Sequence, residues 1–234
     1  MRNLGLSGKK FLLTGASGFL GKEIAKALEE ENAFVFGIDI RGIKDIKAVD
    51  IFDFDETKEY IEDIVGVGLD GVINCAALSF KGNNITNDQF IKTLEVNVVG
   101  TNNIIKASKS ELNISASIVN VSSIYGILSP DFKIYDGNEN LYNSCAYGAS
   151  KGAVNQLTRY YATQLAPIRV NTISPGGIFQ SHDSSFSDKY SERVPLNRMA
   201  HPKEIVDAIL FLLSPMSSYI TGHNLIVDGG LSAL

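Results

Sequence analysis

The sequence predicts an α/β fold in one domain: a doubly wound parallel sheet of about seven strands with helices on both faces. Three observations carry that reading. Short β-branched apolar runs alternate with longer stretches of helical periodicity along the whole chain. Such alternation needs right-handed crossovers, which set helices on both faces of a parallel sheet. A glycine-rich turn, TGASGFLG at 14–21, directly follows the first apolar run. Finally, 234 residues without a repeat, low-complexity tract or linker suit a single core over 1–234.

The elements follow in order. KFLLTG (10–15) reads as a buried strand, and a helix follows from about 18 to 31. AFVFGID (33–39) is a second strand and KAVDI (47–51) a short third. DETKEYIEDIV (55–65) is helical, and GVINCAA (71–77) is a strand. A long helix is expected over 85–110, with Phe90, Leu94, Val98, Thr101 and Ile105 on one face. ASIVNVSS (116–123) is a strand, and a second long helix spans 145–165. IRVNTISPGG (168–177) and NLIVDGG (224–230) are the last strands. Between them, IVDAILFLL (205–213) carries Asp207 and reads as a buried amphipathic helix, with Pro202 near its first turn after His201.

Composition narrows the function. The net charge of −5 argues against a nucleic-acid partner or an anionic membrane surface. No run is long and apolar enough to span a bilayer, and MRNLGLSGKK lacks the apolar core of a signal peptide. Cys75 and Cys145 have no metal-ligand spacing, nor do His182, His201 and His223. No metal is expected, and the cysteines are expected to stay reduced in the cytoplasm.

A sheet of this kind binds ligands beyond the carboxyl ends of its strands, where the strand order reverses. The turn at 14–21 lies there. Its glycines let the backbone approach a pyrophosphate, and the following helix points its positive end at it. Asp39 ends the second strand at the offset suited to an acid that binds ribose hydroxyls. Its carboxylate would repel a 2′-phosphate, which favours NAD over NADP, although neighbouring Arg41 blurs the distinction. The alternative is a plain tight turn and a solvated strand end.

YGASK places Tyr147 and Lys151 on one helical face. A nearby ammonium favours a phenolate, so the pair is suited to proton transfer. Ser122 and Ser123 close a strand on the same side of the sheet, where a serine can hydrogen-bond a substrate oxygen or simply cap the next segment.

These pieces together resemble the short-chain dehydrogenase/reductase family over essentially the whole chain. The matching stretches are TGASGFLG, Asp39, Asp50, NCAA (74–77), Asn97 in EVNVVGT, VNVSSIYG, YGASK, RVNTISPGG and YITGHNLIVDGG. The resemblance implies a Rossmann-type dinucleotide fold and a role for each position. Tyr147 would be the general acid/base, with Lys151 lowering its pKa and binding the nicotinamide ribose. Ser123 would polarise the substrate carbonyl. Asn97 would bend the long helix and hold a water linking Lys151 to solvent. Gly15, Ser17, Gly18, Phe19, Leu20 and Gly21 would cradle the pyrophosphate, and Asp39, Ile40 and Arg41 would meet the adenosine ribose. Asp50 and Ile51 would meet the adenine, and Asn74 and Ala76 would line the groove. Pro175, Gly176 and Ile178 would pack against the nicotinamide. A homodimer through the helices at about 87–110 and 145–166, or a homotetramer that also uses the C-terminal strand, is implied.

Several departures from the family pattern bear on function. The glycines are spaced T-G-x-x-G-x-x-G, as in the extended branch of epimerases and dehydratases, whereas shorter members have T-G-x-x-x-G-x-G. Phe19 stands at the middle glycine, so Gly18 should supply the flexibility and pyrophosphate contacts should shift towards Phe19 and Leu20. Ala77 replaces a glycine, and Gln180 replaces a threonine that contacts the carboxamide. An insertion at about 128–144 is too polar to be core, and a lid is expected at about 179–199, with His182 in it. Both are rich in Asn, Asp, Ser and Tyr. They read either as walls for a small polar, sugar-like substrate or as solvated surface. The pattern is similar to members acting in bacterial surface-sugar biosynthesis. The functions in play are an NAD-dependent secondary-alcohol/ketone oxidoreductase, an NAD-recycling sugar epimerase or dehydratase, and a non-catalytic NAD-binding regulator.

Overall fold

Apolar residues on neighbouring positions of each strand point to opposite faces, as the two-residue period requires. In β1 (Lys10–Thr14), Phe11 and Leu13 enter one core and Leu12 the other. β4 (Leu69–Asn74), β5 (Leu112–Val121) and β6 (Arg169–Pro175) repeat the division: Val72, Ile118 and Val170 lie on one side, Ile73, Val119 and Ile173 on the other. A strand buried on both faces must be central. With β2 (Phe34–Asp39), β3 (Lys47–Ala48) and β7 (Asn224–Val227) these strands form one seven-stranded parallel sheet, ordered β3-β2-β1-β4-β5-β6-β7. The structure, a computed structural model, describes residues 4–65, 68–135, 138–180 and 184–234.

Helices cover both faces. α1 (Phe19–Glu30) and, late in the chain, a helix at Pro202–Leu213 pack over the Phe11 face. α2 (Phe54–Val65), α4 (Thr101–Ser108) and α5 (Cys145–Gln164) cover the Leu12 face, with α3 (Asn87–Leu94) packed against α5. α6 (Ser184–Glu192) lies in the expected lid, and the helix at Pro202–Leu213 is α7. The His201 N–H donates to the Glu204 carboxylate at 2.8 Å, and Arg198 grips that carboxylate with two bonds of 2.7 Å. Its carboxyl is thereby held down at about 2, Arg198 being the main cause. At the other end of α7 the buried Arg169 guanidinium donates to the carbonyls of Leu212, Leu213 and Ser214 and to Ser217 Oγ. Three carbonyls left over by the helix end are thus met by one side chain. No helix among the described residues is long and apolar enough to cross a membrane.

The long helix expected over 85–110 is interrupted. A π-helical turn, Glu95–Gly100, joins α3 to α4. Wide turns of this kind accommodate one extra residue and mark functional positions. Here the turn carries Asn97 into the interior. Thr93, Asn97 and Gly100 are buried, whereas Phe90, Leu94 and Val98 are only half-buried. The single apolar stripe expected from periodicity therefore holds in α4, at Thr101 and Ile105, and fails before it.

The insertion at 128–144 also departs from expectation. It builds a small core of its own: Ile134, Tyr135 and Tyr142 are buried together with Tyr190, Val194 and Met199. The stretch is polar by count, but its few apolar residues converge on α6. Among the residues expected to form the lid, His182 lies outside the described residues.

Candidate active site

The ends of β1 and β4 diverge because β1 connects towards β2 while β4 connects towards β5. The 14–21 turn fills that divergence. Gly15 takes φ +68°, a left-handed conformation open to glycine, and a Cβ there would stand 2.7 Å from the Ala76 backbone. A Cβ on Gly21 would stand 2.1 Å from the Gly15 carbonyl oxygen. Gly18 is ordinary extended backbone at φ −72°, ψ 173°. The expectation that Gly18 supplies the flexibility is therefore corrected: Gly15 does, and Gly18 supplies room, with a Cβ 3.1 Å from the Gly15 oxygen.

α1 starts at Phe19 with no side-chain cap. The N–H groups of Phe19 and Leu20 bond to nothing among the described residues. Unpaired donors at the positive end of a helix form a cradle for an anion. Asp39 sits beside this turn, nearly buried. Its carboxylate accepts the Ser17 N–H at 3.2 Å and the Arg41 N–H at 3.1 Å, and Arg41 Nε approaches to 4.0 Å.

A cavity of about 560 Å³ runs from the turn across the ends of β1, β2 and β4. Gly15, Gly18, Phe19, Leu20, Gly21, Asp39, Ile40, Arg41, Asp50, Ile51 and Ala76 line it, as expected. Cys75, Leu78, Val96 and Lys92 also line it. Lys92 escaped sequence reasoning because its place depends on α3 reaching over the groove. Burial pushes the Cys75 thiol up to about 11, so it is a wall of the groove and not a nucleophile.

The second group of residues stands where β5 ends and α5 begins. Ser123 follows β5, nearly buried, and its Oγ accepts the Tyr125 N–H at 3.1 Å. Ser123 also lies close enough to Tyr147 to favour its phenolate. Lys151 lies one turn further along α5, 3% exposed. Its Nζ donates to the Val121 carbonyl at 2.7 Å and stands 5.6 Å from the Tyr147 ring centroid. Burial pushes the Tyr147 phenol up to about 12, against the opposing pull of Ser123. Burial likewise brings the Lys151 ammonium down to about 8. In this conformation the Lys151 ammonium donates to the Val121 carbonyl, and burial is the largest cause of the raised Tyr147 pKa.

The arrangement joins an uncapped helix end, the Asp39 carboxylate and a serine–tyrosine–lysine group along one rim of a parallel sheet. A family model described as enoyl-(acyl carrier protein) reductase matches residues 15–232. The chain is 30% identical to L-xylulose reductase of Mesocricetus auratus and 31% identical to 3-oxoacyl-(acyl-carrier-protein) reductase FabG of Thermotoga maritima, each alignment covering 97% of this chain and 98% of the relative. The chain belongs to the short-chain dehydrogenase/reductase family. Members of this family bind nicotinamide cofactors and carry out oxidation and reduction. A short-chain dehydrogenase from Leptospira borgpetersenii, solved with bound NAD+, superimposes with a TM-score of 0.85 at 32% identity, over 97% of this chain and 93% of that one.

The groove fits the family's dinucleotide. Its floor is backbone that a Cβ would fill, its helix end has free donors, and Asp39 presents a carboxylate. Seven expected cofactor positions lie outside the lining of the cavity: Ser17, Asn74, Tyr147, Lys151, Pro175, Gly176 and Ile178. Asn74 is buried in the sheet, donating to Asn120 Oδ1 at 2.8 Å, because strand β4 runs through it before the groove begins. Pro175, Gly176 and Ile178 lie at the end of β6, where Gly176 N–H donates to the Val227 carbonyl and Ile178 packs into the α1/α7 core. Ser17 contributes its N–H to Asp39, and its own hydroxyl is buried with no hydrogen-bond partner among the described residues. Asn97 does sit in a distorted helix, but its carboxamide is occupied. It accepts the Leu78 N–H at 2.7 Å and donates to Leu78 O and Ser150 Oγ, both at 2.9 Å. It braces the Leu78 wall of the groove against α5.

Proposed function

We propose that the chain is an NAD-preferring dehydrogenase/reductase of secondary alcohols and ketones, acting on a small polar, sugar-like substrate, with Tyr147 as general acid/base. The observation that carries this reading is the clustering of Tyr147, the buried Lys151 one turn along α5 and Ser123 at the end of β5, beyond a groove fitted to a dinucleotide. Asp39 supports NAD, because a 2′-phosphate beside its carboxylate would be repelled.

A bound nicotinamide supplies hydride transfer. The chain's own residues do the rest. Phe19 and Leu20 N–H groups hold the pyrophosphate, Asp39 the adenosine ribose, and Asp50 and Ile51 the adenine side. The Ser123 hydroxyl holds the substrate oxygen against Tyr147. Tyr147, at about 12, carries its proton at neutral pH. It is therefore ready to give that proton to a developing alkoxide in the reducing direction. Pro175, Gly176 and Ile178 form the wall for the nicotinamide, and Lys151 holds its ribose.

The L-xylulose reductase relative supports a sugar-like substrate, while the FabG relative favours an acyl ketone. A panel of keto sugars, acyl ketones and steroids decides between them. Turnover confined to the apolar compounds overturns the sugar reading. Tyr147→Phe should remove turnover by about a thousandfold while leaving NADH affinity within about twofold. Unchanged turnover would refute the acid/base role. We also infer a homodimer through α3–α4 and α5, supported by exposed Ile91, Val99 and Tyr160 on those helices. Light scattering that reports a monomer would refute it. Free Cys75 and Cys145 thiols support a cytoplasmic location.

A further inference from the structure

Just beyond β6 the Gly177 N–H is held by a phenol from another element, while the neighbouring backbone bonds to Val227 and Ala200. Gly177 N–H donates to the Tyr190 hydroxyl at 2.5 Å. A Cβ on Gly177 would stand 2.6 Å from Tyr190 Cζ, and one on Gly176 would stand 3.1 Å from its hydroxyl oxygen. Both glycines thus make room for a tyrosine pressed against the main chain.

Tyr190 is itself braced. Phe186, one helical turn earlier in α6, has its ring centroid 6.1 Å away. Phe186 stacks on Tyr135 of the insertion, with centroids 5.5 Å apart and planes at 23°. The Tyr135 hydroxyl meets the Tyr125 hydroxyl at 2.5 Å, and Tyr125 lies two residues beyond Ser123. Arg193, just beyond α6, and Asp131 of the insertion tie the same two segments by an ion pair at 2.8 Å. A continuous path of packed rings and hydroxyls therefore runs from the catalytic turn at the end of β5, through the insertion and α6, to the end of β6. Burial pushes the Tyr125, Tyr135 and Tyr190 phenols upward, Tyr190 to about 12, so they act as neutral hydrogen-bonding groups.

We propose that Tyr190 is a positioning residue for the nicotinamide half of the cofactor, kept in place through Phe186 by Tyr135 of the insertion. The inference rests on assigning Pro175–Ile178 as the nicotinamide wall. A buried N–H that loses its acceptor must find another, and the strand end moves to do so. Asp39, Asp50 and Ile51, at the adenosine end of the groove, do not depend on this path.

The separation of the two ends gives the test. NADH and ADP-ribose, which lacks nicotinamide, are titrated by calorimetry into wild type, Tyr190→Phe and Tyr135→Phe. Tyr190→Phe should weaken NADH about tenfold and leave ADP-ribose within about twofold. Tyr135→Phe, which keeps the stack but loses its hydroxyl link, should weaken NADH about threefold with the same selectivity. Should Tyr190→Phe fail to fold, Phe186→Leu is expected to give the threefold, NADH-selective loss. Equal loss for both ligands, or no loss for either, overturns the role. A wild type that binds neither ligand overturns the cofactor assignment and this inference with it; a wild type that binds both, with variants that match it, overturns only the role of Tyr190.

Discussion

Lys151 is a charged side chain that the fold has almost removed from water, and its stability contribution should change sharply with pH. Burial lowers its pKa from 10.5 to about 8. At pH 7 the group is charged in both folded and unfolded chains, and a difference of that size destabilises the fold by about 3 kcal/mol. The unfolded chain binds more protons between the two pKa values. Stability from this group must therefore rise as pH climbs from about 8 towards 10.5. About 2 kcal/mol should be recovered between pH 7 and pH 9.5. Lys151→Met removes the charge and keeps most of the stem. It also orphans the Val121 carbonyl, now bonded at 2.7 Å, which costs about 1 kcal/mol. The variant should consequently be more stable than wild type by about 2 kcal/mol at pH 7, and the advantage should vanish by pH 9.5. Urea unfolding of both proteins across that range gives the difference, in which titrating groups not coupled to Lys151 cancel. A gap that is constant with pH, or a variant destabilised at pH 7, would refute the argument that desolvation governs this lysine.

Three other outcomes are expected. Gly21→Ala drives a methyl to within 2.1 Å of the Gly15 oxygen, so it should destabilise the chain by about 2–4 kcal/mol and abolish NADH binding, as seen by denaturation and calorimetry. Arg169→Met strips the C-terminal end of α7 of the side chain that meets three of its carbonyls and the Ser217 hydroxyl beyond it; unfolding in urea should show a loss of about 3 kcal/mol. Asp39→Asn removes the charge that excludes a 2′-phosphate. The ratio of NADPH to NADH affinity should rise about tenfold, and an unchanged ratio would show that Asp39 does not read the ribose.

The sheet was legible because its strands announce themselves: KFLLT and RVNTISP are buried along their length, and glycine-rich turns punctuate them. Much of the rim of the groove was legible for the same reason, since Asp39 closes β2 with Ile40 and Arg41 after it, and Cys75 and Ala76 follow β4. What escaped were contacts between segments distant in sequence. Asn97 carries no local sign that its carboxamide clamps Leu78, nineteen residues away. The π-helical turn that delivers it there looks like uninterrupted helix by periodicity. The insertion is polar on average, and averages conceal that Ile134, Tyr135 and Tyr142 face one direction. Lys151 and Tyr147 were paired correctly on one helical face, yet their protonation follows from burial, which spacing does not encode.

The floor of the groove has a consequence for how such a protein can change. Gly15 abuts Ala76, and Gly21 abuts Gly15, main chain against main chain. There is no side chain to trim or enlarge, so no series of small substitutions can reshape that surface. Variation is left to the rim, where Ile40, Arg41 and Lys92 line the same cavity and reach solvent. A lineage can thus retune what the groove holds one exposed side chain at a time, while the part that shapes the groove stays closed to gradual revision.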